Sequence, residues 1–199
     1  MHLYLIRHWQ TEENKYNIIA WQTDWTLSDV WKKQAQLVSH VFESKQIDYV
    51  YCSDLWRVKD TAAPTLRWHP DVICTFDPRL RERDQWVLTG KSKDDIKKEF
   101  WQELDVVRAS HPSVESKEDM NLRMKNVFDE IIQKHQHSDD VVLVFSHHAF
   151  LHVTIKYFHQ IYFATKLIPE RIENASITHY IIHADWAEIV MENDTSHLS

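Results

Sequence analysis

Three observations predict a three-layer α/β/α sandwich with a mostly parallel central sheet. Residues 2–6 and 140–145 are short, near-continuous apolar runs, the pattern of strands covered on both faces. Both runs end in polar residues, Arg7-His8 and Ser146-His147-His148, and open α/β sheets present their ligand-binding groups at strand carboxyl ends. Between the runs, apolar residues recur at helical spacing over 28–44 and again over 115–137.

In chain order, the first strand occupies 2–6. A helix over 28–44 follows, with Val30, Trp31, Ala35, Leu37, Val38, Val41 and Phe42 at near-helical spacing behind a Ser28-Asp29 capping signal. A second strand at 47–52 leads to Ser53-Asp54, read as the N-cap of a helix running towards Leu66, its last turns weakened by Pro64. A third strand is expected at 71–76. Residues 77–112 are charged and poor in long periodicity, so they read as a lid-like excursion carrying short helices within one domain, 1–199. The amphipathic helix of 115–137 runs through Met120, Met124, Val127, Phe128, Ile131 and Ile132. After the strand at 140–145 come a helix over 149–159 and two late strands, 175–183 and 186–191, as a hairpin.

Composition narrows the function. With 199 residues, 43% of them hydrophobic, the chain can bury a substantial core as one domain. A formal charge of −7 with no long basic run argues against nucleic acid as a partner. No stretch of about 18 apolar residues is present to span a bilayer. The segment 1–7 is too short and too quickly charged for a signal peptide, so a cytoplasmic location is expected. Cys52 and Cys74 are too few for a disulfide framework or a Cys-based zinc site and read as small core hydrophobes.

The chemistry rests on Arg7-His8. An imidazole nitrogen can attack phosphorus, and a guanidinium matches phosphate oxygens in a fork. The stretch Leu5-Ile-Arg7-His8-Trp-Gln-Thr11-Glu-Glu-Asn14 resembles the signature of the histidine phosphatase (phosphoglycerate-mutase-like) superfamily. Further blocks resemble it in order: Gln22-Thr-Asp24-Trp-Thr-Leu27, Cys52-Ser53-Asp54-Leu55-Trp56-Arg57, Leu80-Arg81-Glu82-Arg83, Val144-Phe145-Ser146-His147 and Asn174-Ala175-Ser176-Ile177.

By that resemblance His8 is the nucleophile that becomes a phosphohistidine. Arg7, Arg57 and a protonated His147 bind the phosphoryl oxygens, with Asn14 as a further polar contact, and Glu82 protonates the leaving alkoxide and then activates water. A small phosphorylated metabolite is the implied substrate, without cofactor or metal and with a homodimer left open. His147, His148 and His152 also have zinc-like spacing, although no carboxylate partner is near in sequence. The short chain, and Gln85 where mutases of the family carry tyrosine, favour a phosphatase; a mutase and a catalytically impaired phospho-ligand binder remain alternatives.

Glycine is scarce, with Gly90 alone against nine tryptophans. Trp9, Trp21, Trp31, Trp56 and Trp86 stand where the family carries glycine. If left-handed backbone is needed at these positions, tryptophan costs roughly 1–2 kcal/mol at each. This predicts that some are codons read as glycine in the source organism, and that Trp9 as tryptophan obstructs the pocket.

Overall fold

A computed structural model describes residues 1–11, 16, 18, 19, 29–165 and 167–199, with only the backbone at 29–31. Strands β1 (His2–Arg7), β2 (Tyr49–Cys52), β3 (Ile73–Phe76), β4 (Val141–Ser146), β5 (Ile177–Ile182) and β6 (Ala187–Asp194) form one sheet in the order β3-β2-β4-β1-β5-β6. The first four are mutually parallel; β5 runs antiparallel to β1, and β6 antiparallel to β5.

Helices α1 (Asp29–Phe42) and α2 (Trp56–Trp68) cover one face and α5 (Lys117–His135) and α6 (His148–Tyr162) the other, while α3 (Lys93–Phe100) and α4 (Leu104–Ser110) pack in a separate cluster. The unbroken apolar runs of β1 and β4 serve both sides. Leu3, Leu5, Val142 and Val144 pack with Met124 and Phe128 of α5 and with Phe150 and Phe158 of α6. Their alternates Tyr4, Ile6, Leu143 and Phe145 pack with Val38 and Phe42 of α1 and with Val58 and Ala62 of α2. The α/β class and the mostly parallel sheet are therefore as the sequence predicts, with β1 and β4 at the centre.

Several local readings differ. Helix α2 starts at Trp56 with Leu55 at its N-cap and no side-chain cap, because Ser53 and Asp54 are engaged elsewhere. Pro64 sits inside α2, which continues to Trp68. The excursion carries two short 3-10 turns, Pro78–Leu80 and Trp86–Leu88, besides α3 and α4, and buries Leu88, Ile96, Leu104, Val107 and Val114 in a small core of its own. Cys52 is buried, whereas Cys74 is only partly so.

Trp9, Trp56 and Trp86 all lie outside the left-handed region, so the strain expected there does not arise, and Trp31 is helical. Trp21 lies outside the described residues, as does the Ser28 part of the capping signal. Among the described residues the tryptophan that does adopt left-handed backbone is Trp101, with φ of 55° at the C-cap of α3 and 89% exposed.

Candidate active site

Parallel neighbours β1 and β4 end side by side, with Arg7 opposite Ser146. The residues that follow, His8 and His147, therefore meet at the carboxyl edge of the sheet. Their ring centroids are 5.1 Å apart, and both are buried, at 3% and 0% exposure. The loop after β1 is fastened by main chain: the His8 N–H donates to the Ser146 carbonyl at 3.0 Å, and the Ala175 N–H to the His8 carbonyl at 3.3 Å. The Asn174 amide also donates to that carbonyl at 3.2 Å.

His8 Nδ1 lies 2.6 Å from the Trp9 carbonyl oxygen. A carbonyl only accepts, so Nδ1 carries the proton and Nε2 keeps its lone pair. Burial first, then the charges of Arg57 and Arg7, push the His8 pKa well below the usual imidazole value. The ring is neutral at physiological pH.

His147 is also pushed well down, by burial and then by Arg57, His8 and Arg7, so the protonated form expected from sequence is not that of the unliganded protein. Its Nε2 is 2.9 Å from Ser53 Oγ. The hydroxyl read as a helix cap thus serves the second histidine instead, while the Asp54 carboxylate accepts from Arg81 at 2.6 and 2.5 Å.

Arg7 is held through NH1 by the Ile172 carbonyl. Burial lowers its pKa to about 10, leaving it a cation at neutral pH. Arg57 projects from the first turn of α2 and is 8% exposed. Glu82 follows the first 3-10 turn; its carboxylate accepts from the Ala149 N–H at 3.2 Å and the Arg83 N–H at 2.9 Å.

Arg7, His8, Arg57 and Glu82 line one cavity of about 410 Å³. Among the described residues its lining also includes Lys93, Arg108 and Arg171 against the two carboxylates Glu82 and Glu170, an excess of positive charge in a chain of net −7. Such a cavity attracts an anion and sets beside it an imidazole with a free lone pair. His147 lies behind the lining, in ring contact with His8. Asn14 lies outside the described residues. Trp9 does not line the cavity; it is 1% exposed and packs on Ala35, so the expected obstruction is absent.

Residues that the sequence did not reveal are Ser53 as the partner of His147, and Arg108, which reaches the cavity from α4 with its Nε donating to Gln85 Oε1 at 2.6 Å. Nothing in the spacing of 77–112 distinguishes Arg108 from its charged neighbours. His148 and His152 stack with ring centroids 6.2 Å apart, and among the described residues no three potential ligands converge on a metal position.

The model of the histidine phosphatase superfamily (branch 1) matches residues 3–195. Probable phosphatase C1687.21 of Schizosaccharomyces pombe is 29% identical over 160 residues, covering 79% of this chain and 73% of that protein. Fructose-2,6-bisphosphatase TIGAR of Mus musculus is 33% identical over 138 residues, 66% of this chain; the match spans about half, 51%, of the TIGAR chain. Among solved structures, Bacillus stearothermophilus YhfR superposes with a TM-score of 0.83 at 22% identity, covering 100% of this chain and 99% of that one.

Proposed function

The chain belongs to branch 1 of the histidine phosphatase superfamily, and from that premise we propose that it hydrolyses a small phosphomonoester through a phosphohistidine on His8. His8 Nε2 attacks phosphorus as the P–O bond to the leaving group breaks, and Glu82 gives its proton to the departing alkoxide. Water then attacks phosphorus as the P–N bond to His8 Nε2 breaks and its electron pair returns to the ring, Glu82 takes the proton of the water, and inorganic phosphate leaves. Arg7 and Arg57 supply the permanent positive charge around the transferred group, and His147 and Asn14 add polar contacts.

The observation that carries this reading is the tautomer of His8. A buried, neutral imidazole with Nδ1–H committed to a main-chain carbonyl offers its other nitrogen as a nucleophile, in the cavity that Arg7, Arg57 and Glu82 also line. In support, Arg7 Nε and His147 Nδ1 are buried without hydrogen-bond partners among the described residues, a condition phosphoryl oxygens could relieve at any N–H. The excursion of 77–112, which contributes Glu82, Gln85, Lys93, Leu104 and Arg108 to the cavity, serves in this reading as its lid within a single domain. A cytoplasmic location belongs to the same reading; no helix among the described residues is long and apolar enough to cross a membrane.

The test is release of phosphate from p-nitrophenyl phosphate, with an acid-labile, base-stable phosphoryl label trapped on the protein. His8→Ala abolishes both. Undiminished turnover by that variant would end the proposal.

A further inference from the structure

Beside the candidate active site lies a second, larger cavity of about 690 Å³ between α5 and α6. The two share Gln85, Arg108, His148 and Glu170 in their linings, so they are compartments of one cleft. Glu82, the proton donor of the proposed reaction, hydrogen-bonds to the Ala149 N–H, and Ala149 lines the larger compartment. Glu82 therefore stands beside the boundary between the two compartments.

The groove has a chemical direction. Along α6, His148, His152 and Lys156 stand at intervals of four residues on one face, and Lys117 faces them from the start of α5. Arg83 and Arg108 lie at the end nearer the active site. Arg83 is spent on the carbonyls of Glu115 and Arg108, and Lys125 is paired with Asp129 at 2.6 Å. Lys117 and Lys156 are thus the outlying cations among the described residues of the lining, with Glu170 the one carboxylate among them. Met120, Met124 and Val153 give the same groove apolar surface.

We infer that this groove selects an elongated phosphomonoester with an apolar or neutral body and a second anionic group, a phosphate or carboxylate, held by Lys117 and Lys156. The inference rests on the phosphatase reading and names the substrate class. The eight residue steps of helix from His148 to Lys156 correspond to about 12 Å, which sets the reach of the second anion from the active-site end of the groove.

The test measures binding to His8→Ala protein by calorimetry, comparing hexanediol bisphosphate with hexyl phosphate, which differ only in the second phosphate. The bisphosphate binds about tenfold more tightly. Adding Lys117→Glu and Lys156→Glu removes that advantage and shifts hexyl phosphate less than twofold. Equal affinity of the two ligands, or equal weakening of both by the lysine substitutions, overturns the inference. Arg57→Ala separates the underlying reading: it weakens hexyl phosphate if the phosphoryl group sits by His8, and leaves it unchanged if that reading is wrong.

Discussion

Replacing Arg123 with methionine tests whether the position of Glu82 is imposed from α5. The Arg123 guanidinium makes a two-pronged ion pair with Glu115 at 2.8 Å on each arm, and NH1 donates to the Arg79 and Arg81 carbonyls at 2.6 and 2.9 Å. Arg123 also lies over the Phe150 ring at 5.1 Å. Side-chain exposures of 20% for Arg123 and 13% for Glu115 put the pair between two regimes. A surface pair contributes at most about 1 kcal/mol, whereas breaking a buried pair costs about 3–5. Glu115 keeps one donor in the variant, the Asp84 N–H at 3.0 Å. The two carbonyls lose a charged donor, so the expected loss is about 3 kcal/mol of a total of about 5–15.

The same contacts tie down the chain immediately before Glu82. A misplacement of about 1 Å in a catalytic group can cost about 100-fold. The expected fall in kcat is roughly 10- to 100-fold, with inhibition by inorganic phosphate retained because Arg7 keeps its bond to the Ile172 carbonyl and Arg57 its place in α2. Urea denaturation reads the first effect, and steady-state hydrolysis of p-nitrophenyl phosphate the second. A double-mutant cycle with Glu115→Gln should return a coupling of about 1–3 kcal/mol. A stability loss below about 1 kcal/mol together with unchanged kcat would refute the reasoning, because Arg123 would then be an ordinary surface residue.

Three further outcomes are expected. Ser53→Ala leaves a nitrogen of the buried His147 ring unpaired, costs about 1–3 kcal/mol, and raises the inhibition constant for phosphate; unaltered phosphate affinity would place His147 outside the anion site. His179 is lowered to about 4, chiefly by burial, from an unfolded value near 6.5. The unfolded chain binds the extra proton between these values, so this contribution to stability is complete above about pH 6.5 and is lost as pH falls towards 4. His179→Phe keeps the stacking with Tyr4 and flattens the pH dependence of the denaturation midpoint in that window by at most about 1.4 kcal/mol per pH unit; an identical slope counts against the assignment. Trp101→Gly relieves the left-handed C-cap of α3 and removes little packing, so the melting temperature rises by a few degrees, for a gain of about 1 kcal/mol. A lower melting temperature would mean that the exposed indole has a stabilising contact.

The central strands were legible because a strand covered on both faces must be apolar at consecutive positions, as β1 and β4 are. Their ends were legible for the complementary reason: Arg7, His8 and His147 are polar residues at the edge of an apolar layer. Ser53 was misread because helix capping and supporting a buried imidazole both call for a hydroxyl just after a strand, and only the third dimension distinguishes the uses. Arg108 gave no signal, since its partner Gln85 lies 23 residues away across irregular chain and the pairing follows no helical or strand period. Trp9 misled through its size: bulk beside a nucleophile suggested obstruction, yet the indole turns inward onto Ala35.

The bond from His8 Nδ1 to the carbonyl of residue 9 has a consequence for how this site can vary among descendants of the same gene. Every amino acid carries that carbonyl, so the nucleophile's tautomer is specified by the main chain and is indifferent to the side chain next door. Position 9 is thereby free to drift in size, from a single hydrogen to an indole, so long as the loop keeps its path and α1 leaves room.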